Sequence, residues 1–393
     1  MGAQEPMAIT AFSLATCLGA GNAVHAEALR TGRSGLEPCE VYETPFLCYV
    51  GAVPGLEDCA PPPALTAWDN RATRLAEAAL TADGYLGRVE TAVARWGAAR
   101  IGVVLGTSTS GVEKLEGAYR AREGDGPLPS EYSMRHHNDH HAVASYLMAR
   151  LGLAGPCWTI STACSSSAKA LVDAHQLIEA GLCDAVIAGG VDSLCLTSLA
   201  GFEGLQLVSR RPCRPCDLDR DGLSIGEGAA LLLIERAVDG PYRLSGAGEC
   251  SDGFHMSTPP EDGAGAAVAI REALAAAALL PPDIGYVKLH GTATPANDVS
   301  ECRAVAGVLG MTTPVSSLKG AIGHTLGAAG AVEAAMCLLA LEHGIVPGCV
   351  GLSQLDPVIA CNVPAVARPA ALNHVVANAF GFGGNNCALV LSR

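Results

Sequence analysis

Residues 159–171 have the sequence TISTACSSSAKAL, in which an apolar run ends in a lone cysteine, Cys164, and small residues lead into a helical pattern. This order predicts a nucleophile on a strand-to-helix turn. Small neighbours let a substrate backbone approach, and the positive end of the helix lowers the pKa of the thiol. We expect this placement to activate Cys164 without a neighbouring base. The alternative is a buried cysteine in a packing seam, which is the commoner role in a chain with 16 cysteines.

Length and composition limit the class of protein. With 393 residues, 49% of them hydrophobic and 4% aromatic, the chain can form two domains or one large duplicated α/β domain built from small side chains. A formal charge of −14 argues against binding to nucleic acid. No apolar run reaches the roughly 18 uninterrupted residues of a membrane span, and no N-terminal signal pattern is present. We therefore predict a soluble, cytoplasmic protein with reduced cysteines.

Two parts of the chain share one layout of strands, small-residue turns and Ala-rich helices. The first part, residues 1–241, contains the buried apolar runs Ile101–Ser108 and Ala185–Asp192, and a predicted helix over Trp68–Tyr85. The second part, residues 242–393, begins with a predicted strand at Tyr242. The shared layout predicts two stacked α/β units, with the site at the strand ends between them.

Four motifs point to other functions but are incomplete. The glycines at Gly19 and Gly21 lack the third glycine of a dinucleotide site. The pair Cys213 and Cys216 has no second pair to complete a zinc site. The acidic loop that begins at Asp217 lacks the final ligand of a calcium loop. The run His136–His141 could place two histidines on one helix face, but no further ligand cluster lies nearby. We predict no metal site.

Two histidines suggest what Cys164 does. His290 and His324 each follow a predicted strand, among small residues and with polar neighbours. Such a set is consistent with acyl transfer to Cys164 followed by carbon–carbon bond formation. Two neutral imidazoles would donate hydrogen bonds to a thioester enolate as a second substrate loses CO2. Backbone N–H groups near Cys164 and Phe382 would form an oxyanion hole.

Several motifs in this order resemble those of the β-ketoacyl-acyl-carrier-protein synthases, the decarboxylating condensing enzymes. The resemblance covers nearly the whole chain and is weakest before Ile101. It is carried by ACSSSAKAL around Cys164, HGTATPAND from His290, KGAIGHTLGAAG through Lys319 and His324, and NAFGFGGNN through Phe382. It implies a thiolase-like α/β fold with two duplicated halves stacked as α-β-α-β-α layers. Residues 1–241 would form the half with the nucleophile, and residues 242–393 the half with the two histidines.

The resemblance also implies roles for individual residues. Cys164 would accept the acyl chain, His290 and His324 would support malonyl decarboxylation, and Lys319 would orient the His324 side. Thr292 and Thr294 would bind the phosphopantetheine arm of the carrier protein. Phe380, Phe382 and Gly383 would contact the substrate, with Phe382 as the gating aromatic. Glu333 and Asp298 would support the structure of the site, and Arg71 and Arg74 would dock the carrier protein. The phosphopantetheine arm arrives on the carrier protein, so no separate cofactor is expected.

Two positions depart from the family pattern without removing a catalytic group. Cys216 stands where the family usually has Phe, and Leu318 stands where it often has Thr. The stretch Gly189–Leu196, GGVDSLCL, and the HGTATPAND motif resemble the ketosynthase subunits of aryl polyene pathways. Those subunits pair with a ketosynthase-like chain-length partner. Expected partners are therefore an acyl carrier protein and a second subunit, either an identical copy or a chain-length factor.

Three alternatives stay open beside the polyene ketosynthase. One is the same chemistry in ordinary fatty-acid elongation. Another is a non-catalytic chain-length subunit, although such subunits commonly lose the nucleophile. The third is a thiolase that uses coenzyme A, for which Cys387 would have to supply a second cysteine.

Overall fold

Strands from both parts of the chain join in one 11-stranded mixed sheet in the computed structural model, which describes residues 5–236 and 238–393. In chain order, the strands of the described residues are β1 (Met7–Thr16), β2 (Gly19–Ala20), β3 (Glu37–Pro38), β4 (Tyr49–Gly51), β5 (Ile101–Gly106), β6 (Cys157–Ile160), β7 (Ala185–Asp192), β8 (Ile225–Gly226), β9 (Gly228–Glu235), β10 (Tyr242–Ser251), β11 (Tyr286–Lys288), β12 (Val315–Ser316), β13 (Ile345–Val346), β14 (Arg368–Pro369), β15 (His374–Gly381) and β16 (Asn385–Ser392). Outside the large sheet, β3, β4 and β8 form a three-stranded sheet, and β13 and β14 form a two-stranded one.

The helices alternate with these strands. They are α1 (Asn22–Thr31), α2 (Arg71–Thr81), α3 (Tyr85–Trp96), α4 (Val112–Arg120), α5 (Ala142–Leu151), α6 (Ser166–Glu179), α7 (Leu196–Gly204), α8 (Ala264–Ala276), α9 (Pro295–Leu309), α10 (Lys319–Ile322) and α11 (Ala329–His343). Short 3-10 turns connect several of them, and Met134–Asn138 forms a single π-helical turn.

The large sheet consists of two five-stranded sets with the same topology. In the first set the spatial order is β6-β5-β7-β9-β1, and in the second it is β12-β11-β15-β16-β10. Each set has three parallel strands followed by two antiparallel ones. The sets meet through Met7–Ile9 of β1, which pairs with Tyr242–Leu244 of β10. This repeat confirms the predicted duplication.

Helices cover both faces of each set, which explains why β5, β7 and β9 are buried along their whole length. Helices α6 and α11 pack together between the two sets, within the largest apolar cluster. Helices α2, α3 and α5 cover the outer face of the first set, and α8 and α9 cover that of the second. The result is the predicted α-β-α-β-α stack.

Close backbone contact in the central layer depends on small residues. A Cβ atom at Gly330 of α11 would lie 2.4 Å from the backbone nitrogen of Ala168 in α6. A Cβ at Gly106 of β5 would lie 2.2 Å from the nitrogen of Ser167. Any larger residue at these positions forces the layers apart. The small-residue cluster after Cys164 therefore serves packing as well as chemistry.

The helix predicted over Trp68–Tyr85 is confirmed as α2 over Arg71–Thr81, and it is shorter than predicted at both ends because the next helix, α3, begins at Tyr85. Asn70 caps α2 by accepting the N–H of Thr73 at 2.9 Å. The chain then turns at Asp83, whose φ is +54°. The Asp83 carboxylate accepts the backbone N–H of Asn22 at 2.9 Å, which ties the turn to α1.

The histidine run does not form one continuous helix face. Its first part lies in the π-helical turn, and α5 begins only at Ala142. The His137 ring accepts the Ser133 N–H at 3.1 Å and lies 3.1 Å from the Ala67 carbonyl oxygen. His141 Nδ1 lies 3.2 Å from the Thr159 hydroxyl. These rings hold loops together, as expected for a structural cluster.

One stretch, Leu326–His343, is long and apolar enough to span a membrane by length and composition. Within it, 89% of the residues are buried inside the protein. It includes α11 of the central layer, and its apolar character is explained by that position.

Candidate active site

Cys164 lies on a tight turn between β6 and α6, as the sequence predicts. Ala163, immediately before it, has φ +54°, a conformation that costs energy for a residue with a Cβ atom. The turn is held by the Ser165 hydroxyl, which donates to the Thr162 carbonyl at 2.9 Å, and by Ser166, which donates to the Ala163 carbonyl at 2.5 Å. The turn points the Cys164 thiol, which is 5% exposed, into a pocket.

His324 is the nearest polar neighbour of that thiol. Its Nε2 atom lies 3.0 Å from Cys164 Sγ. The backbone of His324 is fixed on both sides, since its N–H donates to Ser224 at 2.7 Å and its carbonyl accepts the Gly226 N–H at 3.0 Å. A base therefore does stand beside the thiol, which corrects the expectation that Cys164 acts without one.

His290 completes the cluster from the end of β11. The Glu301 carboxylate accepts the backbone N–H groups of His290 and Gly291 at 2.7 and 2.8 Å, which fixes the turn. The His290 and His324 rings meet edge to face with centroids 5.3 Å apart. Cys164 Sγ and one nitrogen of each ring all lie within 4.8 Å of one another. The structure thus brings Cys164 together with the two histidines that were predicted to act with it.

Two buried lysines and one carboxylate lie behind the histidines. Lys319 Nζ donates to the His290 carbonyl at 2.6 Å and to Glu333 Oε1 at 2.5 Å. Lys288 donates to the other oxygen of Glu333 and to the Asn378 carbonyl. Lys319 thus contacts the His290 side, not the His324 side as expected. Glu333 is the ion-linked structural carboxylate that the resemblance implies.

Asp298 has the structural position expected of it. Its carboxylate accepts the backbone N–H of Cys216 at 2.9 Å and that of Ala293 at 3.2 Å. Arg220 lies 3.5 Å away. Asp298 therefore joins the loop that carries Cys216 to the turn that carries the pocket threonines.

Burial sets the protonation state of the cluster. It lowers the pKa of His290 and of His324 well below the usual value, and the positive charge of Lys319 lowers both further. Both imidazoles are neutral at physiological pH. Their Nδ1 atoms are buried and have no hydrogen-bond partner within residues 5–236 and 238–393.

Burial also raises the pKa of the Cys164 thiol to about 11. The Lys319 charge and the backbone N–H of Phe382 oppose this shift only in part. The expected lowering of the pKa by the helix N-terminus is therefore outweighed, and the resting group is a thiol. Its proton can pass to His324.

We expect the rate of Cys164 alkylation by iodoacetamide to keep rising from pH 7 to pH 10. A pKa raised to about 11 means that the thiolate fraction grows roughly tenfold with each pH unit over this range. Peptide mapping after timed quenching measures the rate at Cys164 separately from the other cysteines. A plateau below pH 8.5 would show that the thiol ionises as readily as a free cysteine.

The pocket above the cluster has a volume of about 340 Å³. One side is polar, where the hydroxyls of Thr292 and Thr294 lie 2.8 Å apart. The other side is apolar, where the Phe202 and Phe382 rings lie 5.8 Å apart. The remaining lining includes Leu205, Leu207, Leu223, His255, Ser257, Thr258, Phe380 and Gly383. All five predicted substrate-contact residues line this pocket.

Phe382 lies in the glycine turn between β15 and β16. Its backbone N–H is near enough to Cys164 to lower the pKa of the thiol. Gly383 follows with φ +78°, a conformation that favours glycine. The half-buried Phe382 ring thus sits on a sharp turn directly beside the nucleophile.

The expected docking role of Arg71 is not supported. Arg71 Nε donates to Glu227 at 2.6 Å, and the Glu227 carboxylate is fully buried. The guanidinium is thereby paired with a buried carboxylate, and 24% of the Arg71 side chain is exposed. Arg74 donates to Asp69 at 2.7 Å with 27% of its side chain exposed, and neither arginine lines the pocket.

Sequence reasoning missed Lys288 and Glu301. Both are buried and charged, and each holds part of the histidine scaffold. Lys288 is the charged residue at the end of an otherwise apolar strand, which is a signal that could have identified it. Glu301 lies in α9, and the sequence around it does not indicate that its carboxylate binds the backbone of His290 and Gly291.

Two known domain families match the sequence of this chain. The β-ketoacyl synthase N-terminal domain matches residues 71–240, and the β-ketoacyl synthase C-terminal domain matches residues 243–353. The chain belongs to the β-ketoacyl synthase family. It is a condensing enzyme of the acyltransferase class with a thiolase-like fold.

Individual relatives agree with this assignment. The chain is 36% identical over 357 residues to 3-oxoacyl-[acyl-carrier-protein] synthase 2 of Mycobacterium bovis, covering 84% of this chain and 85% of that protein. It is 35% identical over 316 residues to the synthase of the same name from Vibrio cholerae, covering 75% and 76%. Among solved structures, it is similar to the ketosynthase ApeO from Xenorhabdus doucetiae, solved in complex with its chain length factor ApeC. That match has a TM-score of 0.92 and 36% identity, and covers 99% of this chain and 98% of the other. The ishigamide ketosynthase/chain length factor matches with a TM-score of 0.89 and 27% identity, over 99% of both chains.

Proposed function

We propose that this enzyme loads an acyl chain on Cys164 and extends it by decarboxylative condensation with malonyl-acyl-carrier protein, in polyene or aryl-polyene chain elongation. The observation that carries the chemistry is the 3.0 Å contact between Cys164 Sγ and His324 Nε2, with neutral His290 beside it. The roles given below to individual residues belong to this proposal.

The first step is transfer of the acyl group. The Cys164 sulfur attacks the carbonyl carbon of the acyl thioester, and the thiol proton passes to His324 Nε2. The backbone N–H groups of Phe382 and Cys164 hold the developing oxyanion. The arm thiolate leaves, takes the proton from His324, and departs on its carrier protein. The acyl chain occupies the apolar side of the pocket.

The second step is decarboxylation of the malonyl thioester. Its arm lies along Thr292 and Thr294, which places the thioester oxygen beside the two imidazoles. Neutral His290 and His324 each donate one hydrogen bond to that oxygen, His324 after its ring proton has exchanged through solvent from Nδ1 to Nε2. The bond to the carboxylate breaks, CO2 leaves, and the electron pair forms the enolate. Neutral donors suit this step because they stabilise the enolate without protonating its carbon.

The third step forms the new carbon–carbon bond. The enolate carbon attacks the acyl carbonyl on Cys164, and the same two backbone N–H groups hold the oxyanion. The carbon–sulfur bond then breaks, the β-ketoacyl chain remains on the carrier protein, and Cys164 regains a proton from solvent. Lys319 and Glu333 do not react with substrate. Lys319 fixes the backbone of His290 through its carbonyl, and Glu333 balances the charge of Lys319.

We expect His290→Ala and His324→Ala each to lower the rate of malonyl decarboxylation by about 10²–10³-fold, the usual cost of losing one such donor. Mass spectrometry of malonyl-carrier protein, which loses CO2, measures this rate. His343→Ala is the matched control, since His343 is exposed at the end of α11 and does not line the pocket. Unchanged decarboxylation in both catalytic-site variants would remove the proposed role.

The pathway is inferred from the relatives. Support for polyene-type elongation comes from Gly189–Leu196 and the HGTATPAND motif, which resemble aryl polyene ketosynthase subunits. Support for a second subunit comes from the match at 36% identity to ApeO, a ketosynthase solved with its chain length factor. We infer from it a chain-length factor as partner, with an acyl carrier protein as substrate donor. We further propose that the enzyme has no cofactor of its own, works in the cytoplasm, and is organised as halves 1–241 and 242–393.

Ordinary fatty-acid elongation is the second candidate. It is favoured by the names of the curated relatives, which are 3-oxoacyl-[acyl-carrier-protein] synthases at similar identity. A two-cysteine thiolase is not favoured, because Cys387 is fully buried on β16 and does not line the pocket. A non-catalytic subunit is also disfavoured, since all three reacting groups are in place.

Intact-protein mass spectrometry separates the two pathways. The enzyme is mixed with carrier proteins that bear saturated, polyene or aryl-polyene chains, and the gain in mass is mapped to Cys164. We expect loading from the polyene and aryl-polyene donors with little from the saturated ones. Loading mainly from saturated donors would assign the enzyme to fatty-acid elongation instead. If no donor loads the isolated chain, the measurement is repeated with a chain-length factor added, and failure there would contradict the proposal.

A further inference from the structure

Four cysteines outside the active site form a row of thiols, which we call the thiol chain. Cys361 is at its half-buried end and lies against Cys302 of α9. The Cys302 thiol also lies against that of Cys216, and Cys216 in turn lies against Cys349. The last three are buried.

Hydrogen bonds and packing hold these thiols in place. Cys361 Sγ donates to the backbone carbonyl of Cys302 at 3.3 Å. Cys349 Sγ donates to the Pro215 carbonyl at 3.3 Å, directly beside Cys216. Cys216, Cys302 and Cys361 also belong to one apolar cluster. The row is therefore part of the packed core.

The arrangement suits disulfide chemistry better than metal binding. Across residues 5–236 and 238–393, the one group of three ligating side chains within 4.8 Å is that of Cys164, His290 and His324. The thiol chain is thus a row of neighbouring pairs, without the converging set of four ligands that zinc requires. Cys213, the other cysteine of the C-x-x-C motif, donates instead to the Lys319 carbonyl at 3.2 Å.

We propose that the thiol chain is a site of reversible oxidation by peroxide, entered at Cys361. Hydrogen peroxide oxidises the Cys361 thiol to a sulfenic acid and releases water. The Cys302 sulfur attacks the sulfenic sulfur, the S–O bond breaks, a second water leaves, and a Cys302–Cys361 disulfide forms. Each chain loses two hydrogens, and one peroxide is reduced to two waters.

The disulfide can then move inward by exchange. The Cys216 sulfur attacks Cys302, the bond to Cys361 breaks, and the Cys216 proton passes to the Cys361 sulfur. An external dithiol reduces either disulfide to two thiols and is itself oxidised to a disulfide.

Oxidation at Cys216 is connected to the catalytic pocket. A disulfide brings two sulfurs from contact distance to about 2.05 Å, so the loop that carries Cys216 must shift. The backbone N–H of Cys216 donates to Asp298, which also accepts the N–H of Ala293, between the two pocket threonines. We expect the shift to lower the condensation rate several-fold.

The test maps disulfides after oxidation of the full chain. Reduced protein is treated with hydrogen peroxide, free thiols are blocked with N-ethylmaleimide, and peptides are analysed by mass spectrometry. The mapping uses both the wild-type chain and Cys164→Ala, so that it does not depend on the catalytic role of Cys164. Cys361→Ser removes the entry thiol. Cys59→Ser is the matched control, because Cys59 is also partly exposed and its thiol also donates to a backbone carbonyl.

We expect a Cys302–Cys361 cross-link in wild type, Cys164→Ala and Cys59→Ser, followed by a Cys216–Cys302 cross-link, and neither in Cys361→Ser. Condensation by the wild-type enzyme should fall on oxidation and recover with dithiothreitol. Oxidation products without any cross-link to Cys302 would overturn the proposal. An equal loss of activity in wild type and Cys361→Ser would assign that loss to Cys164 and overturn the link to the pocket.

Discussion

Cys164→Ala will abolish acyl loading and leave malonyl decarboxylation in place. Loading requires the sulfur, because the acyl thioester forms on it, whereas decarboxylation needs only the two imidazole donors. Since residual catalysis without a nucleophile is lower by several orders of magnitude, we expect no acyl-enzyme within the sensitivity of intact-mass measurement. Alanine removes one sulfur from a packed turn, so the fold should persist, which circular dichroism checks.

Cys387→Ala is the control for that result. In a decarboxylating enzyme, Cys387→Ala leaves acyl loading unchanged, because Cys387 is a buried core residue of strand β16. A mass gain that persists in Cys164→Ala and disappears in Cys387→Ala would exchange the two roles. Loss of decarboxylation in Cys164→Ala would mean that the thiol holds the second substrate as well.

Glu333→Gln should give the largest loss of stability among the site variants. The Glu333 carboxylate lies between the ammonium groups of Lys288 and Lys319, and all three side chains are at most 1% exposed. An amide leaves two buried positive charges without a counter-ion, and breaking such a pair costs about 3–5 kcal/mol. Urea titration followed by tryptophan fluorescence measures the free energy of unfolding.

Two further variants complete this experiment. Glu342→Gln lies on the same helix but is exposed, and it should change the free energy of unfolding by less than about 1 kcal/mol. Lys288→Met combined with Glu333→Gln removes one of the unpaired charges and should recover part of the loss. A Glu333→Gln protein as stable as the wild type would show that one of the lysines is neutral in the folded state.

The sequence was sufficient to predict the parts of the site that form locally. The turn at Cys164 and the histidines after β11 and before α11 follow from short patterns of apolar and small residues, and the layered fold follows from their repetition. The ion pair of Arg71 could not be predicted, because its partner, Glu227, lies 156 residues away. Lys319 was assigned to the wrong histidine for a similar reason, since its contact to the His290 carbonyl spans 29 residues. Burial was also invisible in the sequence, and it reverses the expected shift in the pKa of Cys164.

The glycine contacts of the central layer limit which parts of the enzyme can change in evolution. Gly330 and Ala168 set the distance between the helix after Cys164 and the helix after His324, so the reacting atoms are positioned by backbones rather than by the pocket walls. Leu205, Leu207 and Phe202 lie outside this contact and can vary in size while the sulfur–imidazole distance stays fixed. Selectivity for the acyl chain can therefore diversify among descendants of this enzyme by single substitutions in the pocket. The contact between Gly330 and Ala168 does not tolerate even one added methyl group.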